Sequence, residues 1–451
     1  MSKYIYSLKN YHAIRQADIV IDGITVLAGE NGCGKSTLSR WLYYTINGSM
    51  DFEKSLFQEY VASIQNFVSK WEFVYRDIRR NGSLEVVKPG QSGYKKITTD
   101  QFEQLLFLDK FSTEDIERAQ IIFAQTLDMF ADVLYDYLNE ENRENRKTRI
   151  LNFLEIKLDD FPTVKEAINA FVKKYERLVE IKTSNLYSCL HKRSVNDFAR
   201  VVNHKFDETD SFPAELQIRE DGLDLLDNGS LASIYNLHKA FYVDTPMAIT
   251  GSGYDNYFWN ELKNIMLSAS SKNVPIETKL LIKRVKHLIG GEAKLVKDDT
   301  FDDLNELRYV SDDEEVDIEL GKTATGFKTF IYLQRLLQNG CLTDSTLLLI
   351  DEPEAHLHPQ WIVEYARMLV LINKTLGTKI MVASHNPDMV AAIRSIAERE
   401  KVLESTHFYL AERVGDCHQY VYEDLGCEIG EIFRSFNIAL DRIKQYGSDS
   451  I

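Results

Sequence analysis

The run Thr346-Leu347-Leu348-Leu349-Ile350-Asp351-Glu352-Pro353-Glu354-Ala355-His356-Leu357-His358-Pro359 decides the fold class. Leu347 to Ile350 is unbroken apolar sequence, the pattern of a strand buried on both faces. Asp351 and Glu352 follow where that strand should end. Two adjacent carboxylates after a fully buried strand are costly unless something uses them. In open α/β sheets, ligands sit at the carboxyl ends of the strands. A magnesium nucleotide is the natural user, because Mg²⁺ prefers carboxylate and phosphate oxygens. Taken alone, the run fits a core strand capped by surface acids equally well.

A second stretch far upstream tips the balance. Gly29-Glu30-Asn31-Gly32-Cys33-Gly34-Lys35-Ser36-Thr37 has the form G-x-x-x-x-G-K-[ST] of a phosphate loop. Ile24 to Ala28 before it reads as a short strand, and Leu38 to Ile46 after it as an amphipathic helix that stops at Asn47-Gly48. Asn31, Gly32, Cys33, Gly34, Lys35, Ser36 and Thr37 are the nucleotide-binding candidates. The glycines let backbone N–H groups turn inward around the phosphates, and the helix start adds its positive dipole end. Lys35 is expected at the β/γ oxygens. Ser36 and Asp351 are the two protein groups expected at Mg²⁺.

The chain has 451 residues, 44% hydrophobic and 27% charged, enough for a sizeable core in one large domain or a few ordinary ones. Its net charge of −16 excludes a generic polyanion binder. Any nucleic-acid contact has to use a local basic groove or a partner. The cysteines are Cys33, Cys189, Cys341, Cys417 and Cys427. They are scattered, with no C-x-x-C, which fits reduced thiols in a cytoplasmic protein. The N-terminus lacks the pattern of a signal peptide. No apolar run approaches the roughly 18 residues of a membrane span.

Along the chain, Tyr4 to Leu8 and Ile19 to Ile21 read as strands. Asp51 to Arg80 has helical spacing, and Gly82 to Gly93 is loop-rich. Most of Thr113 to Lys205 reads as helix, with Ile121, Phe123, Leu127, Phe130 and Leu134 on one face. Leu151, Leu154 and Leu158 begin a second face, and Val164, Ile168 and Phe171 a third. The charged segment Asn139 to Arg149 reads as a solvated face or turn. A hairpin is signalled at Asp221-Gly222. A strand at Ala240 to Val243 follows, then a break at Pro246 to Gly251 and a helical stretch to Ile289. Small strands are expected at Lys294 to Val296, Leu307 to Val310 and Val316 to Leu320. A helix from Ala324 stops at Asn339-Gly340. A helix from Pro359 is capped by Gly377, a strand covers Ile380 to Ala383, two more lie in the tail, and a last helix starts near Glu428. The recurring plan of strand, ligand-bearing loop and helix argues a parallel α/β sheet. The phosphate loop and the acidic strand lie roughly 310 residues apart, about twice a typical domain. The expected organisation is therefore residues 1–50 and 211–451 as two parts of one head, with a helical insertion lobe at 51–210.

Hydrolysis of a nucleoside triphosphate needs a metal, a polarised water and neutralisation of developing charge. Glu352, one residue past Asp351, can face a water in line with the γ-phosphate, and is the expected general base. His385 ends a neighbouring strand and is expected at the γ-phosphate or that water. His356 and His358 lack a third partner at metal-ligand spacing. They read as a turn at a subunit interface.

Gly29 to Thr37, Leu347 to Glu352, Glu354 to Pro359 and Ser384-His385-Asn386-Pro387 resemble the Walker A, Walker B, D-loop and switch-histidine motifs of ABC-type ATPases. Ala324-Thr325-Gly326-Phe327-Lys328-Thr329 stands where that class has its signature motif, and departs from the common L-S-G-G-Q form. In that class the element touches nucleotide held by another subunit. The resemblance therefore implies Thr325 and Gly326 at ATP, and a homodimer or higher oligomer. The detailed motif forms are similar to stand-alone ABC/SMC-like, OLD-related ATPases of bacterial antiphage systems, above all the Septu-type ATPase subunit, also found beside some retrons. This implies an ABC-type P-loop head binding ATP and Mg²⁺, hydrolysing ATP, and regulating a separate HNH-type nuclease, with nucleic acid reached through the complex. Only about 65 residues follow His385, too few for the nuclease domain of OLD-type relatives. An SMC/RecF-like DNA-repair or DNA-binding ATPase is the alternative, and a transporter ATPase fits less well.

Overall fold

The computed structural model describes residues 2–81, 97, 99–108, 110–140, 144–227, 229–244, 257–271, 273–297 and 305–434. The expected loop at 82–93 and break at 246–251 lie outside these, as does most of the expected last helix. Two compact units divide the chain: residues 1–50 with 194–451, and residues 51–193.

The first unit is built on a mixed sheet. Its strands are β1 (Tyr4–Tyr11), β2 (Ile14–Ile21), β3 (Ile24–Ala28), β4 (Glu215–Glu220), β5 (Leu223–Leu226), β6 (Lys239–Val243), β10 (Thr346–Asp351), β11 (Lys379–Ser384), β12 (Thr406–Arg413) and β13 (Tyr420–Asp424). They lie in the order β5-β4-β1-β2-β13-β12-β3-β11-β10-β6. A separate small sheet holds β7 (Gly291–Lys297), β8 (Asn305–Ser311) and β9 (Asp317–Glu319), all antiparallel.

The expectation of a parallel sheet holds for the stretch β12-β3-β11-β10-β6 and for the β13–β2 pair. The other neighbours, β12–β13, β1–β2, β1–β4 and β4–β5, pair antiparallel. The reason is visible in burial. Strands β3, β10 and β11 are buried at every position, as strands covered on both faces must be. Strand β1 alternates buried and partly exposed positions, the signature of a meander with one covered face. The hairpin between β4 and β5 turns on Asp221 and Gly222, both at positive φ, as a two-residue hairpin loop requires.

Helix α1 (Lys35–Met50) follows the phosphate loop and runs past Asn47-Gly48, where the sequence predicts a stop. Gly48 is a notch inside the helix. A Cβ there would come within 2.9 Å of Val202 Cγ2 and 3.2 Å of Phe198 Cε2, both on α7 (Val195–Phe206). Because α7 packs on α1, the head begins again at Ser194, and the insertion is residues 51–193 where 51–210 was expected.

The second unit contains α2 (Phe52–Asn81), α3 (Asp100–Leu106), α4 (Glu114–Asn139), α5 (Glu144–Phe153) and α6 (Val164–Lys192). Its core centres on Trp71, stacked on Phe130 and met edge-on by Tyr175. Phe123, Leu127, Phe130 and Leu134 are buried as expected, but Ile121 is 56% exposed. A two-residue step from Ile121 to Phe123 turns about 200° around a helix, so both cannot share a face. The segment 139–149, expected as a solvated face or turn, is largely α5, where Glu144, Asn145, Thr148 and Arg149 are exposed, and that helix ends at Phe153, before Leu154 and Leu158.

Back in the head lie α8 (Tyr257–Leu267), α9 (Ile276–Ile289), α10 (Thr325–Gln338), α11 (Pro359–Leu376) and α12 (Pro387–Glu400). Gly290 and Gly377 cap α9 and α11 in the left-handed conformation. Among the described residues no helix is long and apolar enough to cross a membrane.

Candidate nucleotide site

Strand register brings the motifs together. Ala28 at the end of β3 pairs with Ser384 at the end of β11, and Ala383 pairs with Asp351 at the end of β10. The loops that follow all leave the sheet at one edge. The one after β3 is the phosphate loop. Gly34 there has φ +98°, and a Cβ would stand 2.7 Å from Ile14 Cγ1, so only glycine fits. Lys35 is 6% exposed, and its Nζ donates to the carbonyls of Gly29 and Glu30 at 2.9 Å each.

Beside the loop is a cleft of about 400 Å³. Asn31, Gly32, Gly34, Lys35, Ser36, Thr37 and Glu352 line one part of it, and His12, Ala13, Arg40, Trp41, Glu208 and Asp210 the rest. Cys33 is turned into the core, where Tyr422 Oη donates to its carbonyl at 3.2 Å. Only its backbone can face a ligand. Thr325 and Gly326 do not line the cleft. They begin α10, where a Cβ on Gly326 would meet the His356 carbonyl at 3.3 Å.

Asp351 is 2% exposed. It accepts hydrogen bonds from Tyr242 Oη at 2.8 Å and Ser39 Oγ at 3.0 Å, and from the Ser36 hydroxyl. Burial outweighs these bonds and pushes its carboxyl up to about 6. A buried carboxylate beside a serine hydroxyl is a hard oxygen pair that suits Mg²⁺. Among the described residues no group of three or more His, Cys, Asp or Glu could hold a metal, so phosphate and water would supply the remaining ligands. That is the usual way Mg²⁺ is held at nucleotide sites.

Glu352 N donates to Ala383 O at 2.8 Å, extending the β10–β11 ladder by one residue. The residue after this buried ladder is held at φ 46°, a left-handed conformation that is costly for glutamate and concentrates at functional sites. Its side chain is half-exposed, and Glu352 Oε1 lies 3.2 Å from His385 Nδ1. Sequence reasoning missed Arg40 and Trp41. Both lie one turn beyond the phosphate loop on α1, and helical spacing could have found them. Arg40 Nε is buried without a hydrogen-bond partner. Glu208 and Asp210 come from the segment after α7, and no local pattern announces them. His358 acts as the N-cap of α11, accepting from Gln360 N.

A profile of the AAA ATPase domain family matches residues 6–220 and 229–390, most of the chain, and the chain belongs to that family. No curated protein matches it in sequence. Among solved structures it is similar to an Smc head domain with an extended coiled coil, bound to the C-terminal domain of ScpA, from Pyrococcus furiosus. The two are 11% identical, with 98% of this chain and 100% of that one covered and a TM-score of 0.35. It is also similar to the SMC head domain from Thermotoga maritima, at 12% identity, with 94% and 98% covered and a TM-score of 0.35.

Proposed function

We propose that this member of the AAA ATPase domain family binds and hydrolyses ATP, and through that cycle regulates a separately encoded nuclease in bacterial antiphage defence. The observation that carries the hydrolytic part is the convergence of Lys35, Ser36, Asp351 and Glu352 at one sheet edge. On binding, Lys35 exchanges its two carbonyl partners for phosphate oxygens. Ser36 and Asp351 would hold Mg²⁺, which would supply positive charge to offset the charge that builds on the phosphate oxygens. Glu352 orients and deprotonates the attacking water, and His385 steadies Glu352 through Nδ1. Thr325 and Gly326 of a second copy complete the site at the start of α10, a helix N-terminus of the kind that favours phosphate. The active unit is thus a homodimer or higher oligomer.

The regulatory part is supported by the motif forms, which resemble the Septu-type subunit, and by a helical unit distinct from the head. The partner is an HNH-type nuclease, and its contacts carry most of any nucleic-acid binding, as the chain's net charge of −16 favours. Co-expression with the adjacent open reading frame, size-exclusion chromatography and a nuclease assay with ATP varied test this. A co-purifying nuclease whose cutting responds to ATP and to Glu352→Gln supports it. No co-purification, or a nuclease indifferent to both, refutes it and moves the DNA-repair ATPase reading ahead.

A further inference from the structure

We propose that Glu354 is a positioning residue that holds His385 against Glu352; the inference rests on the hydrolytic reading above. Glu354 Oε1 accepts from Ser384 Oγ at 2.7 Å and from the backbone N–H of His385 at 3.1 Å. The same oxygen lies 3.6 Å from His385 Nδ1, and that nitrogen lies 3.2 Å from Glu352 Oε1. The Glu354 side chain is 3% exposed, against 43% for His385 and 38% for Glu352. One buried carboxyl thus anchors Ser384 and His385, which do not themselves line the cleft, beside Glu352, which does.

The second oxygen argues that this acid is there for a purpose other than packing. Glu354 Oε2 is buried and has no hydrogen-bond partner. An unpartnered buried polar atom is destabilising, and an apolar side chain of similar size would avoid it. What an apolar residue could not do is accept from Ser384 and His385 together. Those two bonds fix the end of β11 and the backbone of His385, which leaves its ring nitrogen Nδ1 between the two carboxylates, 3.2 Å from Glu352 and 3.6 Å from Glu354. The backbone under Glu354 is itself held. Ala355 N donates to Glu352 O, and Leu357 N to Glu354 O, each at 2.9 Å. Without Glu354 the imidazole loses its buried anchor while Lys35 and Ser36 keep theirs. Hydrolysis should therefore suffer and nucleotide binding should not.

The test is ATP turnover and ATP affinity of the full chain carrying Glu354→Ala, His385→Ala, or both. Glu354→Ala is expected to lower kcat by about tenfold or more and to leave the Kd for ATP within about twofold. The double variant should be no slower than His385→Ala, because a residue acting through another adds nothing once that one is gone. Glu354→Gln keeps the carbonyl acceptor and should recover turnover by about threefold or more over Glu354→Ala. If Glu354→Ala does not fold, Glu354→Met carries the same comparison without the unpartnered oxygen. Parent-like turnover in a folded Glu354→Ala or Glu354→Met chain, while His385→Ala is impaired, overturns the proposal. So do losses that simply add in the double variant. A parent chain with no turnover fails the ATPase reading instead. In that case the His385 side-chain ¹⁵N signal decides for Glu354. A shift in Glu354→Met supports the contact, and an unmoved signal overturns it.

Discussion

Asp351→Asn should make the nucleotide-free chain more stable while removing its response to Mg·ATP. Asp351 is 2% exposed, and its carboxyl is pushed from 3.8 to about 6, chiefly by burial. An acid whose pKa is raised on folding holds its proton more tightly in the folded chain. Between pH about 4 and 6 the folded state binds more protons than the unfolded one, so stability falls as pH rises through that window. With about 1.4 kcal/mol per pH unit, the charged form is disfavoured by on the order of 3 kcal/mol above it. Asparagine removes the charge at nearly constant volume. It cannot accept from both Tyr242 and Ser39 as a carboxylate does, which offsets about 1 kcal/mol. The net gain is about 1–2 kcal/mol at pH 8, shrinking toward pH 4. Urea unfolding of parent and variant in EDTA, at several pH values, measures it. A variant less stable than the parent at pH 8, or a difference that does not change with pH, would refute the reasoning.

Further perturbations probe other parts of the site and its support. Lys35→Ala removes the charged donor proposed for the phosphate oxygens, and calorimetry should find ATP affinity lower by at least about tenfold. Unchanged affinity in a folded variant would remove Lys35 from the site. Gly34→Ala forces a Cβ into Ile14 at positive φ and should destabilise by about 1–3 kcal/mol, read by thermal unfolding. Gly48→Ala should also destabilise, by about 1–3 kcal/mol, although alanine is the better helix former, because Val202 and Phe198 fill the space. A stabilised Gly48→Ala chain would show that α7 yields.

What the sequence made legible was local. The apolar run of β10, the glycine pattern of the phosphate loop and the caps Gly290 and Gly377 each carry their signal within a few residues. What it hid was long-range. Strand β1 pairs antiparallel with β4, which follows it only after the insertion, and β13 returns to lie parallel beside β2, so that half of the sheet could not be read from spacing. Gly48 looks like a helix stop until Phe198 and Val202 are placed against it. Glu208 and Asp210 reach the cleft only through the packing of α7 on α1. Glu354 stands in the middle of the most informative motif, yet its partners Ser384 and His385 are about thirty residues away.

The central claim is that one sheet edge both holds ATP and hydrolyses it. Steady-state phosphate release, measured with and without Mg²⁺ on the parent chain and on Glu352→Gln, tests it most directly when ATP retention is measured in parallel. The account predicts Mg²⁺-dependent turnover in the parent, a fall of about 10²-fold or more in Glu352→Gln, and ATP still bound by that variant. A parent chain that binds ATP without hydrolysing it in any oligomeric state, or a Glu352→Gln chain that hydrolyses at the parent rate, would contradict it.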